Sequence, residues 1–196
     1  IDLALADAQV SWLVNAGTNY LTSRNPQPRL GNQHPNIVPY QVFGTKDGHV
    51  IVAVGNDTQY TRFCDIVGRP DLATDKRFAK NVDRVAFRDI LIPILAKEIA
   101  QHPKDWLVSE METAKIPGGP INTLPEVFAS DQVAARDMVV SVEDSHAFSG
   151  YVDLIGNPIK LSKTPITYRQ APPMCGAHTQ EILTELFGSD FKIKGT

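Results

Sequence analysis

Val38-Pro-Tyr-Gln-Val-Phe-Gly-Thr-Lys-Asp-Gly-His-Val-Ile-Val-Ala-Val54 sets two apolar, β-branched and aromatic runs on either side of Lys46-Asp47-Gly48. Residues 38–43 and 49–54 therefore read as strands, and Asp-Gly between such runs signals a hairpin because both residues tolerate positive φ. Downstream the period changes to that of helices. After Asn56-Asp57, a suitable N-cap, Tyr60, Phe63, Cys64 and Val67 recur at helical spacing, predicting a helix over 58–67 closed by Gly68 and Pro70. A longer helix is predicted over 80–101, its apolar face made of Phe87, Leu91, Ile94, Leu95 and Ile99, with Pro93 kinking or dividing it. Pro103 suits the first turn of another helix reaching Ala114, with Trp106, Leu107, Glu110 and Met111 in register. Ile116-Pro-Gly-Gly-Pro-Ile121 cannot be helical, and its paired glycines let backbone approach closely. Short helices over 124–134, strands over 138–143, 150–155 and 158–162, a connector marked by Pro165, Pro172 and Pro173, and a helix over 179–187 complete the chain. Hairpin, helices and then a meander lack the regular βα alternation of a doubly wound sheet, so the class is α+β.

Upstream of the hairpin, Asn25 to Pro35 holds three prolines and a glycine in eleven residues and reads as a loop or boundary. Residues 1–23 read as one helix with two apolar stripes. Ile1, Leu5, Ala8, Trp12 and Ala16 form one, and Leu3, Val10, Leu13 and Val14 form the other. A helix apolar on two faces is normally covered on both. These residues are expected to pack on another polypeptide rather than on residues 38–125.

The chain has 196 residues, 42% hydrophobic and 21% charged, which excludes a disordered or fibrous class. No apolar run is long enough to span a membrane. With 19 Lys+Arg against 22 Asp+Glu and no basic block, the electrostatic footprint of a nucleic-acid or anionic-membrane binder is missing. Two distant cysteines, Cys64 and Cys175, make no disulfide framework, so a cytoplasmic location is expected. The first residue is Ile1 and no signal-peptide layout precedes the first helix, so the chain is expected to start inside a longer reading frame.

The five histidines show no metal-ligand spacing, and no serine-hydrolase, P-loop or dinucleotide fingerprint occurs. Cys64, on an apolar helix face, reads as a small buried hydrophobe rather than a nucleophile. Cys175 lies in a loop near His178. Asp2 and Asp7 read as solvated or capping carboxylates more readily than as nucleophiles. The glycine-bearing loops at Gly31-Asn32 and Gly118-Gly119 either present backbone amides to an anionic or carbonyl-bearing ligand or are merely turns.

Leu30-Gly-Asn-Gln-His-Pro-Asn-Ile-Val-Pro-Tyr-Gln-Val-Phe43 with Thr45-Lys-Asp-Gly48 resembles the class III CoA-transferases, the CaiB/BaiF family. The likeness continues in Ile1 to Ala8, in Ile116-Pro-Gly-Gly-Pro-Ile-Asn122 and in Ala171-Pro-Pro-Met-Cys-Gly-Ala-His-Thr-Gln-Glu-Ile-Leu183. The resemblance implies the C-terminal half of a subunit with a Rossmann-like large domain and a small α+β domain. Residues 1–37 would be the linker helix and loop leaving the large domain, 38–125 the small domain, and 126–196 a segment returning to the large domain. It further implies a homodimer of interlocked subunits and no cofactor, with coenzyme A as part of the substrates, an acyl-CoA and a carboxylic acid. The family's nucleophilic aspartate lies upstream of this helix, so no catalytic residue is expected in this chain and the chain alone is expected to be inactive. Gly31 and Asn32 match in position the glycine-rich loop over the active site and are the expected substrate-binding residues, although one glycine stands here in place of a run of four. A fragment of an α-methylacyl-CoA racemase, which shares the fold, and a non-catalytic CoA-binding or assembly module are the alternatives.

Overall fold

The computed structural model describes residues 2–188, so the expected place of Ile1 in an apolar stripe lies outside the described residues. The chain divides between Asn122 and Thr123 into two compact units. No described helix is long and apolar enough to cross a membrane.

The first unit opens with α1 (Leu5–Ser11) and α2 (Val14–Ser23) where one continuous helix was expected. The ladder tightens at the break: the N–H groups of Trp12 and Leu13 reach back three residues, to Gln9 and Val10. Neither helix buries a residue, and Leu5 and Trp12 remain 90% and 80% exposed.

The expected hairpin forms. Strand β1 (Tyr40–Gly44) pairs antiparallel with β2 (His49–Ala53), Gly44 opposite His49. Neither Asp47 nor Gly48 adopts positive φ, so the turn does not rely on the property that made it legible. Asp47 instead works through its carboxylate, which accepts a 2.7 Å bond from the Lys104 N–H at the start of a distant helix. Val50, Val52 and Val54 are fully buried on alternate positions.

The expected helix over 58–67 is α3 (Asp57–Ile66), capped by the Asn56 side chain accepting from the Gln59 N–H at 2.9 Å. A short α4 (Pro70–Thr74) follows. The long helix is divided into α5 (Asn81–Ala86) and α6 (Arg88–Ile99), and the division falls at Phe87 rather than at Pro93. Pro93 stays inside α6 on its exposed side, where water can take the carbonyl that its ring leaves without a donor. Leu91, Leu95 and Ile99 are fully buried as expected, while Phe87, at the break, is 39% exposed.

Helix α7 (Lys104–Thr113) buries Leu107 and Met111, and Trp106 stacks outside on His102. The segment expected only to be non-helical is a third strand, β3 (Gly118–Ile121), antiparallel to β2 in the order β1-β2-β3. Its glycine is required: a Cβ on Gly118 would lie 2.6 Å from the Ile51 carbonyl oxygen and 2.7 Å from the Met111 methyl. The close approach inferred for the paired glycines is therefore made by Gly118, to a neighbouring strand and helix, while a Cβ on Gly119 would touch nothing within 4 Å. Pro120, opposite Val50, faces the outer edge of the sheet.

The second unit holds α8 (Leu124–Phe128), α9 (Asp131–Ala135), the hairpin of β4 (Val139–Glu143) and β5 (Tyr151–Ile155), and α10 (Thr179–Phe187). Thr123 and Glu126 form a capping box at α8. The strand expected over 158–162 does not form. Pro158 has no N–H, the Asn157 N–H donates to the Tyr168 hydroxyl at 2.6 Å, and the Ile159 N–H donates to the Asn157 side chain at 2.8 Å. Local side-chain bonds have taken the donors a ladder would use.

The core of the first unit closes over a cation. Arg84 of α5 is fully buried, and its guanidinium donates to the carbonyls of Val38 at 2.7 Å, Phe78 at 2.9 Å and Ala79 at 3.3 Å and to Asp57 Oδ1 at 3.0 Å, with its carbon 4.3 Å from the Tyr60 ring centroid. Replacing Arg84 by Met strands those acceptors, so equilibrium urea unfolding of the variant should show a loss of about 3–5 kcal/mol with an unchanged slope.

Candidate functional site

The loop that precedes β1 contains both residues singled out from the sequence. Gly31 adopts φ +61° and a Cβ there would touch nothing within 4 Å, so the glycine serves the turn closed by the Gln33 N–H on the Leu30 carbonyl at 3.1 Å. Asn32 is exposed, and its Oδ1 accepts the Val42 N–H at 3.0 Å. Two residues on, the His34 N–H donates to the Tyr40 carbonyl at 2.9 Å. The loop thus folds back along β1 and is fastened to that strand at two points.

Its stem is fixed from below by residues the sequence reading did not single out. Arg88, the first residue of α6, donates from Nη2 to the carbonyls of His34 at 3.2 Å and Pro35 at 2.9 Å, and from Nη1 to Gln33 Oε1 at 3.3 Å. Asn81 of α5 gives Nδ2 to the Asn36 carbonyl at 2.8 Å and takes the Val38 N–H at 3.1 Å. The Asn19 and Asn36 side chains exchange two amide bonds of 3.2 Å each, tying α2 to the same stem.

His34 lies at the centre of this network, stacked on Tyr40 with centroids 5.0 Å apart. Its Nδ1 accepts the Asn36 N–H at 3.1 Å, so the neutral ring carries its proton on Nε2. Asn15 Nδ2 stands 3.2 Å from Nε2, and the amide turned end for end offers its oxygen at the same place. Partial burial, and next the positive charge of Arg88, lower the His34 pKa below 6.5.

Of the other reactive groups, Cys64 and Asp57 are committed to structure. Burial pushes the Cys64 thiol up to about 11, in keeping with a packing role. Burial raises Asp57, but hydrogen bonds from Arg84 and Lys80 outweigh it and hold its carboxyl below the ordinary 3.8. Asp2, Asp7 and Cys175 are exposed. Gly118 and Gly119 belong to β3, so of the two glycine loops weighed from the sequence, only that at Gly31 presents an open turn. Among the described residues no three His, Cys, Asp or Glu side chains gather as a metal site would require.

Residues 1–179 match the family described as CoA-transferase family III. The chain belongs to CoA-transferase family III. It is 43% identical over 188 residues to a succinate–glutarate CoA-transferase of Agrobacterium fabrum, covering 95% of this chain and 46% of that protein. It is 34% identical to the human succinyl-CoA:glutarate CoA-transferase, covering 100% of this chain and 44% of the human protein. A crystal structure of a CaiB/BaiF family protein from Brucella suis superposes with a TM-score of 0.77 at 38% identity, covering 95% of this chain and 47% of that one. The chain spans about half the length of the curated relatives it matches. Both the family and the α+β class expected from the sequence stand.

The low pKa of His34 gives the family III loop a pH dependence of definite sign. The unfolded loop takes a proton as pH falls through 6.5 while the folded loop resists it, so stability present above 6.5 is lost on acidification toward the lower folded value. An NMR titration of the His34 ring should show a midpoint below 6.5, and the protection of residues 31–36 against hydrogen exchange, corrected for the intrinsic slowing of exchange in acid, should fall as pH drops below 6.5.

Proposed function

We propose that the enzyme containing this chain transfers coenzyme A from an acyl-CoA thioester to a carboxylic acid, the acid being a dicarboxylate. The observation that carries this reading is the 43% identity over 95% of the chain to a succinate–glutarate CoA-transferase. Relatives named for succinate, glutarate, oxalate and mesaconate support the dicarboxylate class.

The reaction would run through a carboxylate nucleophile. An aspartate attacks the thioester carbonyl, expelling CoA thiolate and leaving a mixed anhydride. The thiolate then attacks the aspartyl carbonyl, giving an aspartyl-CoA thioester and freeing the first acid. The acceptor carboxylate next displaces the thiolate to form a second anhydride, and the thiolate attacks the acceptor's carbonyl, releasing the new acyl-CoA and the aspartate. Coenzyme A is carried as part of the substrates, without a further cofactor.

Within this scheme the chain supplies the small domain and the Gly31-Asn32 loop, which lies near the acyl end of the thioester. The nucleophile comes from elsewhere in the subunit. In support, Asp2 and Asp7 are exposed, and Asp57 is bound to two cations. The apolar faces of α1 and α2 would be covered by another polypeptide in a homodimer, in keeping with their exposure here. Incubated with acyl-CoA and trapped with hydroxylamine, this chain alone should show no adduct by mass spectrometry, whereas the intact enzyme should carry one on an aspartate. In the intact enzyme Gly31→Val, which forces a branched residue to φ +61°, should lower kcat about tenfold with assembly unchanged, and unaltered turnover would remove the loop from the active site.

A further inference from the structure

A carboxamide carries an acceptor oxygen and a donor NH2 group, and consuming one end decides what the other can offer. Asn32 Oδ1 is occupied by the Val42 N–H and Gln33 Oε1 by the Arg88 guanidinium. Arg88 is itself fixed by the His34 and Pro35 carbonyls, so the Gln33 oxygen is held on the protein side. Among the described residues, Asn32 Nδ2 and Gln33 Nε2 have no hydrogen-bond partner. Two consecutive side chains therefore present donors only, beside a glycine with open space around it. A ligand that matches donors alone is one rich in acceptors and without protons to give. A carboxylate fits, with two oxygens and a charge that strengthens each bond.

We propose that Asn32 and Gln33 bind the carboxylate of the acid substrate through Nδ2 and Nε2, Arg88 acting as the positioning residue that turns Gln33 outward. This rests on the reading that the loop lies at the active site. It adds to that reading a residue, Gln33, and a chemistry: donation from side-chain amides, with the backbone of Gly31 supplying room.

The near-isosteric variants Asn32→Asp and Gln33→Glu separate this role from loop anchoring. Each retains the oxygen that Val42 or Arg88 needs and exchanges the NH2 donor for an oxygen that repels a carboxylate. In the intact enzyme each variant should raise KM for the acid acceptor about tenfold or more, leave KM for acyl-CoA within about twofold, and leave hydrogen exchange of residues 30–42 as in the wild type. The parallel Gly31→Val variant tells the two ideas apart. Unchanged acceptor KM in both amide variants, with Gly31→Val still slow, overturns the carboxylate role alone. Wild-type kinetics in all three overturns the placement of the loop as well. Faster exchange over residues 30–42 in both amide variants, with the two KM values rising together, also overturns the proposal, because it would show the amides acting through loop order.

Discussion

The positive charge of Arg84 is the constraint around which the first unit is arranged. A guanidinium taken wholly out of water costs several kcal/mol unless its protons find acceptors in good geometry. Here they reach the Val38 carbonyl just before the sheet's first strand, the Phe78 and Ala79 carbonyls before α5, and one carboxylate at the start of α3. Each of those segments is thereby held to a common point, and the Val38 carbonyl, at the entrance to β1, is one of them. The loop before β1 starts from a fixed origin because of this bond.

Arg84 and Arg88 are four residues apart, the spacing at which an unbroken helix would set them on one face. The break at Phe87 separates their tasks. Arg84 turns into the core, and Arg88 reaches the carbonyls of the loop stem. The one-residue interruption thus connects the packing of the small unit to the orientation of the side chains at its surface. Asn81, with one bond to Val38 and one to Asn36, spans the same gap from α5.

Much of this was legible in local pattern. The β-branched run of residues 49–54 marked β2, the Tyr60, Phe63, Cys64 spacing marked α3, and Leu91, Leu95 and Ile99 marked the buried face of α6. What escaped was set by partners distant in sequence. The strand character of Gly118 to Ile121 comes from the waiting edge of β2, since neither glycine nor proline favours a strand by itself. The roles of Arg88 and Asn81 depend on carbonyls about 50 residues earlier, for which no local motif exists. Pro93 gave a strong local signal, yet exposure on one side of α6 made its lost bond cheap. Gly31 and Asn32 stood out first as a glycine-bearing loop and were chosen over Gly118-Gly119 through their family likeness, and Gln33 beside them stood out only when the partners of its oxygen were known.

The fastening of the loop to β1 also bears on how the chain survives its own synthesis. A three-stranded sheet has two rims of unpaired backbone that can recruit a strand from another chain. On the β1 rim, the Val42 N–H and the Tyr40 carbonyl are already taken by Asn32 and His34. On the β3 rim, Pro120 has no N–H to offer. Both margins of the sheet are therefore poor templates for a foreign strand, and the loop proposed to bind substrate also serves as a guard against edge-to-edge aggregation.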